Sequence, residues 1–111
     1  MPNSRYAADA KFQLGETYIV QGSDSEALTS YSQVVSQHPN SPLVRQAMLQ
    51  SALIQKRQGR TEEAIAGFKA VVEKYPTMDG ARDALAGLEN IYIELGRVSE
   101  YETYVLSLIH I

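Results

Sequence analysis

The sequence predicts an all-α protein, a right-handed α-solenoid of three helix-turn-helix hairpins made of six antiparallel helices. Repetition is the first observation behind this. The stretch EALTSYSQVVSQHP, Glu26 to Pro39, returns as EAIAGFKAVVEKYP at Glu63 to Pro76, a spacing of 37 residues. Periodicity within each copy is the second: Ala27, Leu28, Tyr31, Val34, Val35 and His38 fall on one stripe of a helix about three turns long. The third is punctuation, because Gly22, Gly59 and Gly96 keep the same spacing and Pro39 and Pro76 close the repeated stretches.

Taken in order, the first helix is expected over 4–21, where Ala10, Leu14 and Tyr18 share a face and Gly22 supplies the left-handed residue past its end. The second is expected over 24–38, opened by Ser23 and Glu26 in a capping-box pattern and stopped by Pro39. Ser41 followed by Pro42 suits an N-cap and first helical position, so the third is expected over 42–58. The fourth, 61–75, carries Glu62 and Glu63 at its positive end. The fifth and sixth are expected over 79–95 and 98–109. Three units result, about 4–41, 42–78 and 79–111, in one domain spanning 1–111, and a hairpin of this size must stack on a neighbour to bury its stripe. The small residues Gly15 and Ala52 allow the two helices of a hairpin to approach closely. Because the pattern is already running at Tyr6 with almost no lead-in, the chain reads as a segment of a larger protein.

Composition bounds the chemistry. The 111 residues are 44% hydrophobic, with no cysteine or tryptophan and only His38 and His110 as histidines, which removes disulfides and Cys/His zinc sites. A net charge of -3 opposes a phosphate backbone, so nucleic acid is not an expected partner. No apolar run is long enough to span a membrane and the first residues lack the apolar centre of a secretory signal, so the chain is expected to be soluble, without membrane insertion. No catalytic constellation, phosphate-binding glycine cluster or cofactor motif is present, and no enzyme activity, cofactor or metal is expected. His38 stands on the buried stripe where Tyr75 stands in the next copy, and packing explains it. Tyr18, Tyr31, Tyr75, Tyr92 and Tyr101 all fall on interior stripes.

These residues resemble the tetratricopeptide repeat. Leu14, Gly15, Tyr18, Ala27, Tyr31, Val34 and Pro39 follow its order of leucine, small, aromatic, small, aromatic, aliphatic and proline; Ala52, Ala64, Phe68, Val71 and Pro76 follow it in the second copy, where Ser51 and Gln55 depart. The third keeps Leu85, Leu88 and Tyr92 and departs at Glu89 and Tyr101. The period of 37 is similar to repeats of Gram-negative envelope proteins, such as the cell-division coordinator associated with the Tol-Pal system and the lipoproteins of outer-membrane assembly. The resemblance implies a non-catalytic scaffold binding another protein or peptide segment on its concave face, in a periplasmic or cell-envelope setting, with the cytoplasm as the alternative.

The helical turn places a candidate partner-binding strip on the first helix of each unit: Asp9, Phe12, Glu16 and Ile19, then Gln46, Leu49, Leu53 and Lys56, then Asp83, Ala86, Asn90 and Ile93. Phe12, Ile19, Leu49, Leu53 and Ile93 are apolar where a solvated face would be polar; they either receive a partner or pack on the neighbouring hairpin. Phe12 and Glu16 stand where a carboxylate-gripping member of the family carries Lys and Asn, so no such clamp is expected. By unit, Lys and Arg against Asp and Glu number two against four, six against three, and two against six. The basic middle unit carries KRQGR, Lys56 to Arg60, either a solvated helix end or a contact for an acidic partner. The tail VLSLIHI leaves Leu108, Ile109 and Ile111 apolar at the end of the array: they are buried by the last helix, or continued by further chain, or SLIHI is not native to the gene. Self-association through the apolar terminal helices, giving a homo-oligomer, is the alternative function.

Overall fold

The computed structural model describes residues 5–109, and among them six helices and no strands follow one another: α1 Arg5–Val20, α2 Asp24–Gln37, α3 Val44–Arg57, α4 Thr61–Lys74, α5 Met78–Leu95 and α6 Val98–Ile109. They form an all-helical repeat solenoid measuring 46 × 32 × 17 Å. Consecutive helices pack on one another throughout, and α3 also touches α5.

The three hairpin turns are the same object repeated. Gly22, Gly59 and Gly96 have φ of 77°, 78° and 70°. At each, the glycine N–H donates to the carbonyl three residues back, and the next N–H donates to the carbonyl five residues back: Ser23 to Tyr18 at 2.8 Å, Arg60 to Gln55 at 2.9 Å and Arg97 to Tyr92 at 2.8 Å. This pair of hydrogen bonds closes the last helical turn, and only glycine adopts its left-handed residue without strain. It also changes the expected capping box. Ser23 is the N-cap of α2, but its side chain makes no capping bond. Its N–H, which Glu26 would accept in a capping box, is already given to Tyr18.

At the longer connections the expected starts move by one or two residues. Ser41 does not cap a helix beginning at Pro42; its Oγ accepts from the Leu43 N–H at 3.1 Å within a turn, and α3 begins at Val44. Thr77 caps α5, its Oγ1 accepting from the Gly80 N–H at 3.3 Å. At the opposite ends, His38 and Tyr75 are equivalent C-caps, whose N–H groups donate to Val34 and Val71. Pro39 and Pro76 then end each run.

Two clusters of buried side chains make the core. One joins Phe12, Ala27, Tyr31 and Val34 to Val44, Ala47 and Ile54 of α3. The other joins Leu49 and Ala52 of α3 to Ala64, Ile65, Phe68, Val71 and Val72 of α4 and to Ala81, Ala84, Leu88, Ile91 and Tyr92 of α5. Thus α3 is covered from both sides, and Met48 packs against both clusters. Close approach depends on the small residues. A Cβ on Gly15 would lie 2.8 Å from the Tyr31 ring, and one on Gly87 would lie 2.6 Å from the Phe68 ring. Gly67 meets Ala52 across α3 and α4, so the departures at Ser51 and Gln55 do not separate that pair.

The third hairpin is built differently. Where the first two units have Gly15 and Ala52, Ala27 and Ala64, and Ser30 and Gly67, it has Glu89, Tyr101 and Tyr104. Rings in place of small side chains hold α6 away from α5, and among the described residues α6 has no buried member. Tyr101 and Tyr104 instead lean half-buried on the second cluster. The helix runs on through Ile109 and leaves Leu108 and Ile109 exposed rather than covered, Leu106 with them, while His110 and Ile111 lie outside the described residues.

Phe68, at 1% exposure, is the largest fully buried side chain of the second cluster, and its ring fills the space over Gly87. Phe68→Ala is expected to lower stability by about 3–5 kcal/mol in urea unfolding. Leu106→Ala, at an exposed position of α6, is expected to change it by no more than about 0.5 kcal/mol.

Candidate functional site

The helical repeat places α1, α3 and α5 in one layer and α2, α4 and α6 in the other. In the first layer the seam between α3 and α5 is closed by two ion pairs, Arg45 with Asp83 at 3.9 Å and Lys56 with Glu94 at 3.3 Å. The seam between α1 and α3 holds a groove of about 290 Å³ lined by Asp9, Phe12, Gln13, Glu16, Leu43 and Gln46. No described ion pair crosses it.

The nine residues of the candidate strip separate by depth. Leu53 and Ile93 stand open, at 41% and 55% exposure, and Glu16, Gln46 and Asn90 are also exposed. Lys56 is half-buried and paired. Ile19 is half-buried against the first core cluster. Phe12 and Leu49, at 7% and 8%, are interior. Phe12 meets the Tyr31 ring edge-on, with centroids 5.3 Å apart, and forms the floor of the groove. Leu49 belongs to the second cluster. Phe12 is covered because α2 and α3 both pack against α1 at that point, and Leu49 because α3 packs on both sides, so its buried arc is wider than the single stripe that periodicity reveals.

Each cation of KRQGR is engaged within the chain. Lys56 pairs with Glu94, Arg57 with Asp24 at 2.9 Å, and Arg60 with Glu63. One repeat later, Arg97 pairs with Glu62 at 3.1 Å and Glu100 at 2.6 Å. Lys56 with Glu94, Arg57 with Asp24 and Arg97 with Glu62 tie neighbouring hairpins at their glycine-turn ends, while Arg60 with Glu63 and Arg97 with Glu100 lie within one hairpin, and as exposed pairs all of them add little free energy. Their geometry accounts for the cluster without an acidic partner.

On the other layer, a groove of about 380 Å³ lies between α2 and α4, and Ser51 and Gln55, the departures in the second copy, line it with Val35, Met48 and Gly67. The corresponding groove beside α6 is occupied at those repeat positions by Tyr92 and Tyr104, with the Lys69 ammonium 4.7 Å from the Tyr104 ring centre. Tyr104 was not legible as an interior residue, because the same position is Ser30 or Gly67 in the other units. An apolar groove of about 600 Å³ at the end of the array is lined by Val72, Pro76, Ala81, Leu85, Val105, Leu108 and Ile109, among others.

Tyr31 is the most strongly perturbed tyrosine. Burial pushes its hydroxyl up to about 12, and the nearby Glu16 carboxylate adds to the effect. Burial likewise raises Tyr101 and Tyr104, helped by Glu89 and Glu73 respectively. For Tyr31 the shift follows first from burial inside a helical pair, which holds the phenol protonated. Among the described residues no group of three or more His, Asp or Glu could hold a metal ion, and no helix is long and apolar enough to cross a membrane.

The comparisons agree with this architecture. The family model described as Tetratricopeptide repeat matches residues 9–41 and 46–77, the first two hairpins. The third, with its three large replacements, lies beyond the match. No curated protein matches the chain.

The Tyr31 hydroxyl is fully buried and has no hydrogen-bond partner among the described residues, so Tyr31→Phe is expected to be neutral or stabilising by about 1 kcal/mol at neutral pH. A phenol raised in the folded state contributes stability below the unfolded value near 10 and loses it as pH climbs through 12. Urea melts from pH 9 to 12 should therefore show a shallower decline for Tyr31→Phe than for the parent, the residual slope coming from Tyr101 and Tyr104.

Proposed function

Because the chain belongs to the tetratricopeptide repeat family, whose members generally bind other proteins or peptides and are typically not catalytic, we propose that it is a non-catalytic scaffold holding a segment of a partner protein along α1, α3 and α5. The observation that carries this is the open pair Leu53 and Ile93 on that layer, amid polar neighbours Glu16, Gln46 and Asn90. Apolar side chains left uncovered beside polar ones favour association with an apolar surface on a partner. The partner's segment lies along the strip as a helix or an extended strand, with Leu53 and Ile93 receiving its apolar side chains. A cell-envelope setting, suggested by the period of 37, belongs to the same proposal.

A second reading is favoured by one observation, the uncovered Leu106 and Ile109 on α6 beside the apolar groove at the array's end. Two copies meeting there would hide these side chains. Light scattering across concentration decides it: a monomer throughout removes the reading, and a dimer lost on Leu106→Asp establishes it.

For the main reading, affinity capture with the purified chain as bait supplies the partner, and Leu53→Asp together with Ile93→Asp should weaken capture about tenfold or more without altering the circular dichroism spectrum. Leu49→Asp is expected to behave otherwise, lowering helicity and the melting temperature because it places an unpaired carboxylate inside the second cluster. Undiminished capture by the double variant would place the partner elsewhere.

A further inference from the structure

The apolar groove of about 600 Å³ at the end of the array carries groups that the packing of the chain leaves unused. Its α6 wall is made by Val105, Leu108 and Ile109, which stand where Phe68, Val71 and Val72 stand one repeat earlier. Those three are buried in the second cluster with Ala81, Ala84 and Leu88 of α5, whereas Leu108 and Ile109 are exposed. Leu106, three residues before Ile109 on the same helix, is exposed beside them. A hollow and the apolar side chains able to fill one therefore share a single face.

Charge supplies an independent observation at the same place. From Lys11 onward every lysine and arginine but one has a partner within the chain: five pair with carboxylates, Lys11 donates to Gln33, and Lys69 and Lys74 lie over tyrosine rings. The exception is Arg82, exposed on the rim of this groove. Asp79, three residues earlier and so one turn away on α5, lines the same groove, and among the described residues it too has no ion pair.

A surface that meets its own copy about a two-fold axis must carry the complement of each of its features. This face does so twice, as hollow with protruding side chains and as cation with anion. We propose that it is a two-fold dimer interface, in which α5 lies antiparallel to α5 of a second copy, Arg82 pairs with the partner's Asp79, and Leu106 and Ile109 of each copy cover the groove of the other. This rests on the second reading of function, self-association, and names its symmetry and the contacts that set its register. Charge complementarity favours a second copy over a foreign segment: a purely acidic or purely basic segment would oppose one of the two groove charges, whereas the same chain turned by half a revolution answers both.

The test uses the whole chain and light scattering across concentration, with circular dichroism to check that each variant is folded. The parent is expected to dimerise, less tightly by about threefold or more as salt rises from about 0.05 M to about 0.5 M. Arg82→Glu sets two carboxylates against each other at both contacts, and Asp79→Arg sets two cations there; each alone should weaken the dimer about tenfold or more. An equimolar mixture of the two variants should regain the parent's dimer, because one copy then offers two acids and the other two cations. A dimer indifferent to both variants yet lost on Leu106→Asp overturns this pairing and leaves the self-association reading standing. Two weakened variants whose mixture stays monomeric overturn the pairing, and so does a parent mass that climbs past the dimer. A monomer throughout overturns both the proposal and the reading beneath it. Should a variant melt early, the salt series on the unaltered chain decides, a dimer insensitive to salt overturning the pairing.

Discussion

The array depends on α3 being wetted on neither side. A hairpin of two short amphipathic helices has too little interior to offset the entropy of ordering it, and it becomes stable only by lending its outer face to a neighbour. Here the lending runs through one helix. Val44, Ala47 and Ile54 complete the core of the first hairpin, while Leu49 and Ala52 complete that of the second. Tyr31 and Phe68, at matching repeat positions, then take different neighbours: the first closes over Gly15 within its own hairpin and the second reaches Gly87 in the next. One repeated sequence thus serves both as intra-hairpin packing and as inter-hairpin cement.

Charge follows the same architecture. Cations at the ends of α3 reach acids of the units on either side, and Arg97 at the turn into α6 reaches back to Glu62 of the middle unit. Such pairs add little free energy each, and their value lies in orientation.

Much of the fold was legible because its signals are local. Glycine at 22, 59 and 96 demands a left-handed residue whatever surrounds it, and proline at 39 and 76 ends a helix by its own chemistry. The errors arose where one backbone group served two purposes, as at Ser23, or where a polar side chain capped a turn instead of a helix, as at Ser41. Site residues were less legible. Phe12 and Leu49 have the same helical phase as Leu53 and Ile93, and only the presence of a second neighbour separates buried from open. Periodicity reports which way a side chain points; it is silent on what stands opposite. Tyr104 was invisible for the converse reason, since its size is informative only beside the small residues it replaces.

The ring-for-small exchanges at Tyr101 and Tyr104 give the molecule a gradient of cooperativity. With no buried member among its described residues, α6 shares little of the free energy that holds α3 and α4, and its amide hydrogens will exchange with solvent through openings far cheaper than global unfolding. The last helix behaves as a separate unit of opening, hinged on the clasp that Arg97 makes with Glu62 and Glu100. Such an end can detach and re-dock while the first two hairpins, and the groove between them, keep their shape.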